Sequence, residues 1–175
     1  MPVAHVIDVA LEATASASGP VEQSEPGTPR WLSADEQHSW RAFLEANLLV
    51  MRTLESDLYG DTGLHMSEYE VLVRLSEAPE RRLRMSELAD DTVASRSRLS
   101  HQITRMETSG FVARESCPTD RRGAFAVLTA AGTARLAEAA PAHVESVRRV
   151  LMDALTPAEF ALLGELTGKI VRHLA

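Results

Sequence analysis

The sequence predicts a mainly α-helical fold carrying one small β-hairpin. Three observations predict it. Apolar residues recur at helical spacing in long stretches near both ends of the chain. Between those stretches lie two shorter helix-like segments with a break of about three residues between them. Directly after them, two short apolar runs, 111–115 and 124–128, flank the turn-forming stretch Asp120-Arg121-Arg122-Gly123.

The elements follow in order. Residues 1–30 read as an N-terminal extension. Val3, Val6, Ile7, Ala10 and Leu11 fit a short amphipathic helix, and 14–30 is rich in Ser, Pro, Gly and Glu, the composition of a linker or a disordered segment. The domain proper spans 31–175. Ser33-Ala34-Asp35-Glu36 is a capping box that opens a long helix. Trp40, Phe43, Leu44, Asn47, Leu48, Met51, Leu54 and Leu58 form its apolar stripe, and Gly60 is its expected end. Ser67-Glu68-Tyr69-Glu70 reads as a second box, for a helix that stops near Pro79. Met85 to Ala89 open a short helix. After a break near 92–94, Ser95 caps another that hides Leu99, Ile103 and Met106 and stops at Gly110. Thr129 caps an Ala-rich helix to about Ala154, with a kink or break expected at Pro141. Thr156-Pro157-Ala158-Glu159 caps the last helix, which carries Leu163, Leu166, Ile170, Val171 and Leu174.

Two short helices with a tight turn, then a hairpin, make a winged helix-turn-helix over about 61–128, an α+β arrangement. The long helices at about 33–59 and 129–174 have more apolar face than so small a head needs, so they are expected to dimerise.

Composition bounds the function. The chain has 175 residues, 45 % hydrophobic and 25 % charged, which suits an ordinary globular domain. Its one cysteine, Cys117, cannot form an internal disulfide, and no apolar run approaches a membrane span; a cytoplasmic protein without a secretory signal is expected. The net charge of −7 is unevenly spread. From Arg81 to Phe125, nine arginines face six acids, a local excess of three positive charges. A basic segment in an acidic chain is the footprint of a nucleic-acid contact.

The residues that carry this chemistry sit on the second short helix and the hairpin. Outside its apolar stripe the helix shows Arg96, Ser97, Arg98, Ser100, His101, Gln102, Thr104 and Arg105, types that suit groove edges and phosphates. Arg121 and Arg122 at a hairpin tip can enter a narrow, electronegative minor groove. Asp120 can pair with Arg122 and hold it in one rotamer, so less entropy is lost on binding.

In this register the chain resembles the MarR family of bacterial transcription regulators. That family marks its wing by Asp-x-Arg followed, after five intervening residues, by Leu-Thr; Asp120, Arg122, Leu128 and Thr129 stand at those positions, with Gly132 after them. The resemblance runs from about Trp40 to the C-terminus. It implies a homodimer on a pseudo-palindromic double-stranded operator, with repression as the usual mode and release by a small, often aromatic, effector. The implied DNA contacts are Arg96, Ser97, Arg98, Ser100, His101, Arg105, Asp120, Arg121 and Arg122; His101 stands where many members carry Arg. The implied effector pocket would be lined by Trp40, Asn47, His65 and Tyr69, with Phe43, Met51 and Met66 nearby. No cofactor or metal is expected, since no His pairs with a His or Cys at ligand spacing.

Two other readings remain open. Cys117 would serve a redox-responsive regulator, with Arg114, Arg121 and Arg122 to lower its pKa, against the plainer reading of an inert surface thiol. A winged helix can also serve as a protein-interaction module without specific DNA binding, although the recognition helix lacks the aromatics that would favour this. An enzyme is not expected: the chain has no Gly-rich phosphate loop, His-Glu-x-x-His or Gly-x-Ser-x-Gly.

Overall fold

The computed structural model describes residues 29–91, 96–117 and 120–174; the side chains of Asp91, Arg96, Asp120, Arg121 and Arg122 lie outside the described set. The expected extension therefore falls almost wholly outside the described residues, as do the break at 92–94 and the Ser95 cap. The chain divides into two compact units, 1–41 and 42–175.

The first unit contains the start of helix α1 (Ala34–Thr62). The expected capping box is formed: the Ser33 N–H donates to the Glu36 carboxylate at 2.8 Å, and the Glu36 N–H to Ser33 Oγ at 3.3 Å. Hydrogen bonds to the carboxylate from the Ser33 backbone N–H and from the Ser33 side chain hold the Glu36 carboxyl below its usual pKa.

In the second unit α1 does not end at Gly60. It continues to Thr62 and stops at Gly63, whose φ of 71° is the left-handed conformation a helix end requires. Thr62 reinforces the stop, since its Oγ1 donates to the Leu58 carbonyl and accepts the Leu64 N–H.

Helix α2 (Met66–Glu77) begins before the expected box at Ser67, because Glu55 of α1 satisfies its first turn from outside. Glu55 accepts the Met66 N–H and pairs with His65 Nδ1, each at 2.7 Å; the His65 N–H goes to Glu68 at 3.2 Å. Burial pushes the Glu55 carboxyl up, but the bonds from His65 and Met66 outweigh it and hold the pKa below its usual value. Tyr69, Val71, Leu72 and Leu75 bury the inner face of α2 in the core.

A 3₁₀ turn at Pro79–Arg81 leads to strand β1 (Arg82–Arg84), an element the sequence reading did not foresee. Helices α3 (Met85–Asp91) and α4 (Arg96–Thr108) follow, then β2 (Val112–Cys117) and β3 (Asp120–Leu128). The sheet is antiparallel in the order β1-β3-β2. Its inner residues, Val112, Ala126 and Leu128, close over Leu58, Leu72, Leu75, Leu88, Leu99, Ile103 and Met106. Each fully buried Leu or Ile there contributes about 1.5–3 kcal/mol by leaving water.

Helix α5 (Ala130–Val147) starts at Thr129, whose Oγ1 accepts the Gly132 N–H at 2.9 Å. It is not broken at Pro141. Both Pro141 and Ala137, whose carbonyl loses its partner, are exposed, so water can serve that oxygen. The irregularity comes later, as a π-helical turn at Arg148–Met152. Helix α6 (Pro157–Leu174) carries the expected cap, the Thr156 N–H and Oγ1 both donating to Glu159.

Two apolar faces stay uncovered in the single chain. On α1 they are Phe43, Leu44, Leu48 and Met51; on α6 they are Leu162, Leu163, Leu166, Ile170 and Leu174. A groove of about 330 Å³ runs between them, lined by Phe43, Asn47, Val50, Phe160, Leu163 and Thr167 among others.

Candidate nucleic-acid interface

Helix α4 buries one face and exposes the other. Leu99, Ile103 and Met106 are at most 1 % exposed, as their spacing requires. Ser97, Arg98, Ser100, His101 and Arg105 all lie on its exposed side. Gln102 does not join them. It is buried, and its amide donates to the Ser67 carbonyl, so it ties α4 to α2. Position 102 lies one residue from Ile103 on the helix, close enough to the apolar face for its polar type to mislead.

The hairpin differs from the expected one in a way that matters for its arginines. Asp120-Arg121-Arg122-Gly123 is not the turn. These residues already belong to β3, and residues 118–119 lie outside the described residues. Cys117 pairs with Asp120 but Ser116 pairs with Ala124, so Arg121, Arg122 and Gly123 face no partner across the ladder among the described residues. A bulge of this kind bends a strand and re-aims its side chains.

Arg114 on β2 was not among the expected contacts. Its Nη2 donates to the Ser100 carbonyl at 2.9 Å and to Thr104 Oγ1 at 3.2 Å, with Ser100 Oγ at 3.4 Å; its Nη1 pairs with Glu107 at 3.2 Å. On the outer strand, Arg82 pairs with Glu80 at 2.5 Å, and both Arg82 and Arg84 lie over the Phe125 ring, 5.2 and 5.4 Å from its centre.

Cys117 is 5 % exposed, where a surface thiol was expected. It ends a strand that is buried at Val112, exposed from Arg114 to Ser116 and buried again at Cys117.

The four expected effector residues do not share one cleft. His65 lines a cleft of about 680 Å³ with Leu48, Met51, Arg52, Glu55, Met66, Glu70 and Arg105. Asn47 lines the α1–α6 groove instead. Tyr69 lines neither: it is buried against His143, ring centres 4.6 Å apart. Trp40 belongs to the first unit, where it is partly exposed.

The comparisons with known proteins fit this geometry. The MarR family profile matches residues 64–123, from the end of α1 to the bulge. AbsC of Streptomyces coelicolor, a MarR-family regulator of known structure, is 49 % identical, covering 83 % of this chain and 98 % of that one, with a TM-score of 0.77. The chain belongs to the MarR family. A second member from Streptomyces coelicolor, Sco3205, was solved in complex with DNA; it is 46 % identical over 84 % of this chain and 92 % of its own, with a TM-score of 0.79. The transcriptional repressor YetL of Bacillus subtilis (strain 168) is 25 % identical over 117 residues, 67 % of this chain and 70 % of its own. As a MarR-family protein this one is a DNA-binding transcription regulator with a winged-helix fold. Among the described residues no helix is long and apolar enough to cross a membrane.

Proposed function

We propose that this MarR-family protein acts as a homodimer, occupies a pseudo-palindromic operator as a repressor, and leaves it when a small acid binds. The observation that carries the DNA reading is the exposed polar face of α4, followed along the chain by the irregular stretch of β3 that holds Arg121 and Arg122. Ser97, Ser100, His101 and Arg105, with Arg96 and Arg98, meet the major groove and its flanking phosphates; Arg121 and Arg122 reach the minor groove. Repression is supported by the likeness to YetL. The dimer is supported by the apolar faces of α1 and α6, whose large side chains are 37–78 % exposed on a single chain.

Release is assigned to the 680 Å³ cleft, because it joins an apolar floor of Leu48, Met51 and Met66 to Arg52 and to Arg105 of the recognition helix. Cys117 is a poor redox switch, since a buried thiol meets oxidants slowly. The test is to recover and sequence the DNA bound by the protein in cells, then titrate the purified protein with that sequence in the presence of aromatic acids. Bound fragments sharing an inverted repeat, released by one such acid but not by peroxide, are expected. Fragments with no shared repeat would overturn the operator reading. Release by peroxide, lost in Cys117→Ser, would put the redox reading first.

A further inference from the structure

We propose that Arg114 is a positioning residue for DNA recognition, a latch that fixes the angle between the wing and the recognition helix. The inference rests on the reading of α4 and the hairpin as the DNA-facing elements. Ser100, Thr104 and Glu107 stand at i, i+4 and i+7, so they line one strip of α4. Arg114 reaches that strip from β2 and spreads both ends of its guanidinium along it, one on Glu107 and the other on the Ser100 carbonyl and the Thr104 hydroxyl. Only the planar fork of an arginine makes these contacts together; a lysine ammonium is a single point.

The pairing is part-shielded, with both side chains about one third exposed. The cation is thus neutralised and hydrogen-bonded before any DNA arrives, which makes it a poor phosphate ligand. Its value is leverage. Arg114 lies three residues before Cys117, the last residue of β2, roughly 10 Å along a strand. A hairpin free to swing about its base would spread the bulged arginines over many positions. A latched one presents them at a fixed distance from the groove-facing side of α4, so the second contact follows the first without further loss of freedom.

The test uses the full chain and two duplexes: one carrying the inverted repeat recovered from cells, and a scrambled one of equal length. Affinities are measured from 50 to 200 mM salt, with the active fraction of each variant fixed by stoichiometric titration. Arg114→Gln is expected to weaken operator binding on the order of tenfold, to leave scrambled-duplex binding within about twofold, and to leave the salt slope unchanged. Glu107→Gln should weaken operator binding in the same direction, and Arg114→Lys should restore little. A phosphate contact would behave differently: Arg114→Gln would lower the slope by about one per protomer, and Glu107→Gln would tighten binding by releasing the cation. Either result overturns the latch, as does full rescue by lysine or unchanged operator affinity in both variants. Arg122→Ala in the same assay separates two failures. If it weakens binding while Arg114→Gln does not, the latch alone is wrong; if neither matters, the DNA-facing reading falls and the latch with it.

Discussion

Gly132 leaves room for the carbonyl of Phe111: a Cβ at position 132 would lie 2.1 Å from that oxygen and 2.8 Å from Leu128 Cδ1. The same carbonyl accepts the Thr129 N–H at 3.2 Å and Thr129 Oγ1 at 3.0 Å. The start of α5 is thereby sewn to the residue before β2, and the hairpin base cannot move away without breaking the cap. Gly132→Ala is expected to destabilise the fold by about 1–3 kcal/mol, since the clashing atom is backbone and cannot rotate aside. Urea titration checks it. A midpoint within error of the unsubstituted protein would mean that the base of the hairpin yields freely.

The apolar faces predict the oligomeric state. Leu163 and Leu166 lie on the exposed side of α6, beside the groove shared with α1. Leu163→Glu with Leu166→Glu places four carboxylates in a symmetric interface, and should give monomers that lose operator binding. The unsubstituted protein should sediment as a dimer, with its two recognition helices about 34 Å or a multiple apart. A monomeric unsubstituted protein at micromolar concentration would refute the dimer.

Much of this was legible in the residues. The Ser33 and Thr156 boxes, the buried triplet Leu99-Ile103-Met106 and the Thr129 cap are local devices, and local spacing announces them. What was not legible depends on partners distant in sequence. The start of α2 at Met66 needs Glu55, eleven residues earlier. Gln102 looks like a groove contact until the Ser67 carbonyl is placed beside its amide. Three residues, Arg82-Leu83-Arg84, are too few to show alternation, so β1 exists only through its pairing with β3. The Asp-Arg-Arg-Gly stretch reads as a turn because Asp and Gly favour turns, yet strand pairing reaches back to Cys117 and Asp120 and makes it a bulge. The scatter of His65, Asn47 and Tyr69 has the same origin: proximity in a helical stripe says nothing of which neighbouring helix each side chain meets.

His143 predicts a loss of stability in mild acid. It packs on Tyr69, its Nδ1 is buried with no hydrogen-bond partner among the described residues, and burial lowers its pKa below the ordinary 6.5. Between that lowered value and 6.5 the unfolded chain binds more protons than the folded one. Stability therefore falls as pH drops below about 6.5 and levels off once pH is below the folded value. Glu55 acts in a lower window: its carboxylate stabilises the fold above its usual 4.5, and that contribution is lost as pH falls through the lowered folded value. Melting curves from pH 7.5 to 5 should show the His143 loss, and His143→Phe, which keeps an aromatic ring against Tyr69, should flatten it. An equal slope in the two proteins would assign the acid sensitivity elsewhere.

The bulge gives the wing arginines their sharpest test. Arg122 stands where no described residue faces it across the ladder, two positions from Asp120. Arg122→Ala should weaken operator binding by about 1–3 kcal/mol per half-site, the usual size of one groove contact. Asp120→Ala should weaken it less, because the positive charge remains and only its orienting carboxylate is gone. If Asp120 merely repelled phosphate, its removal would tighten binding. The double substitution should cost little more than Arg122→Ala alone, since an orienting residue has nothing left to orient. Four titrations at one salt concentration decide between these. Additive losses, or a tighter complex with Asp120→Ala, would mean that the two side chains act separately and that the bulge, not the carboxylate, aims the arginine.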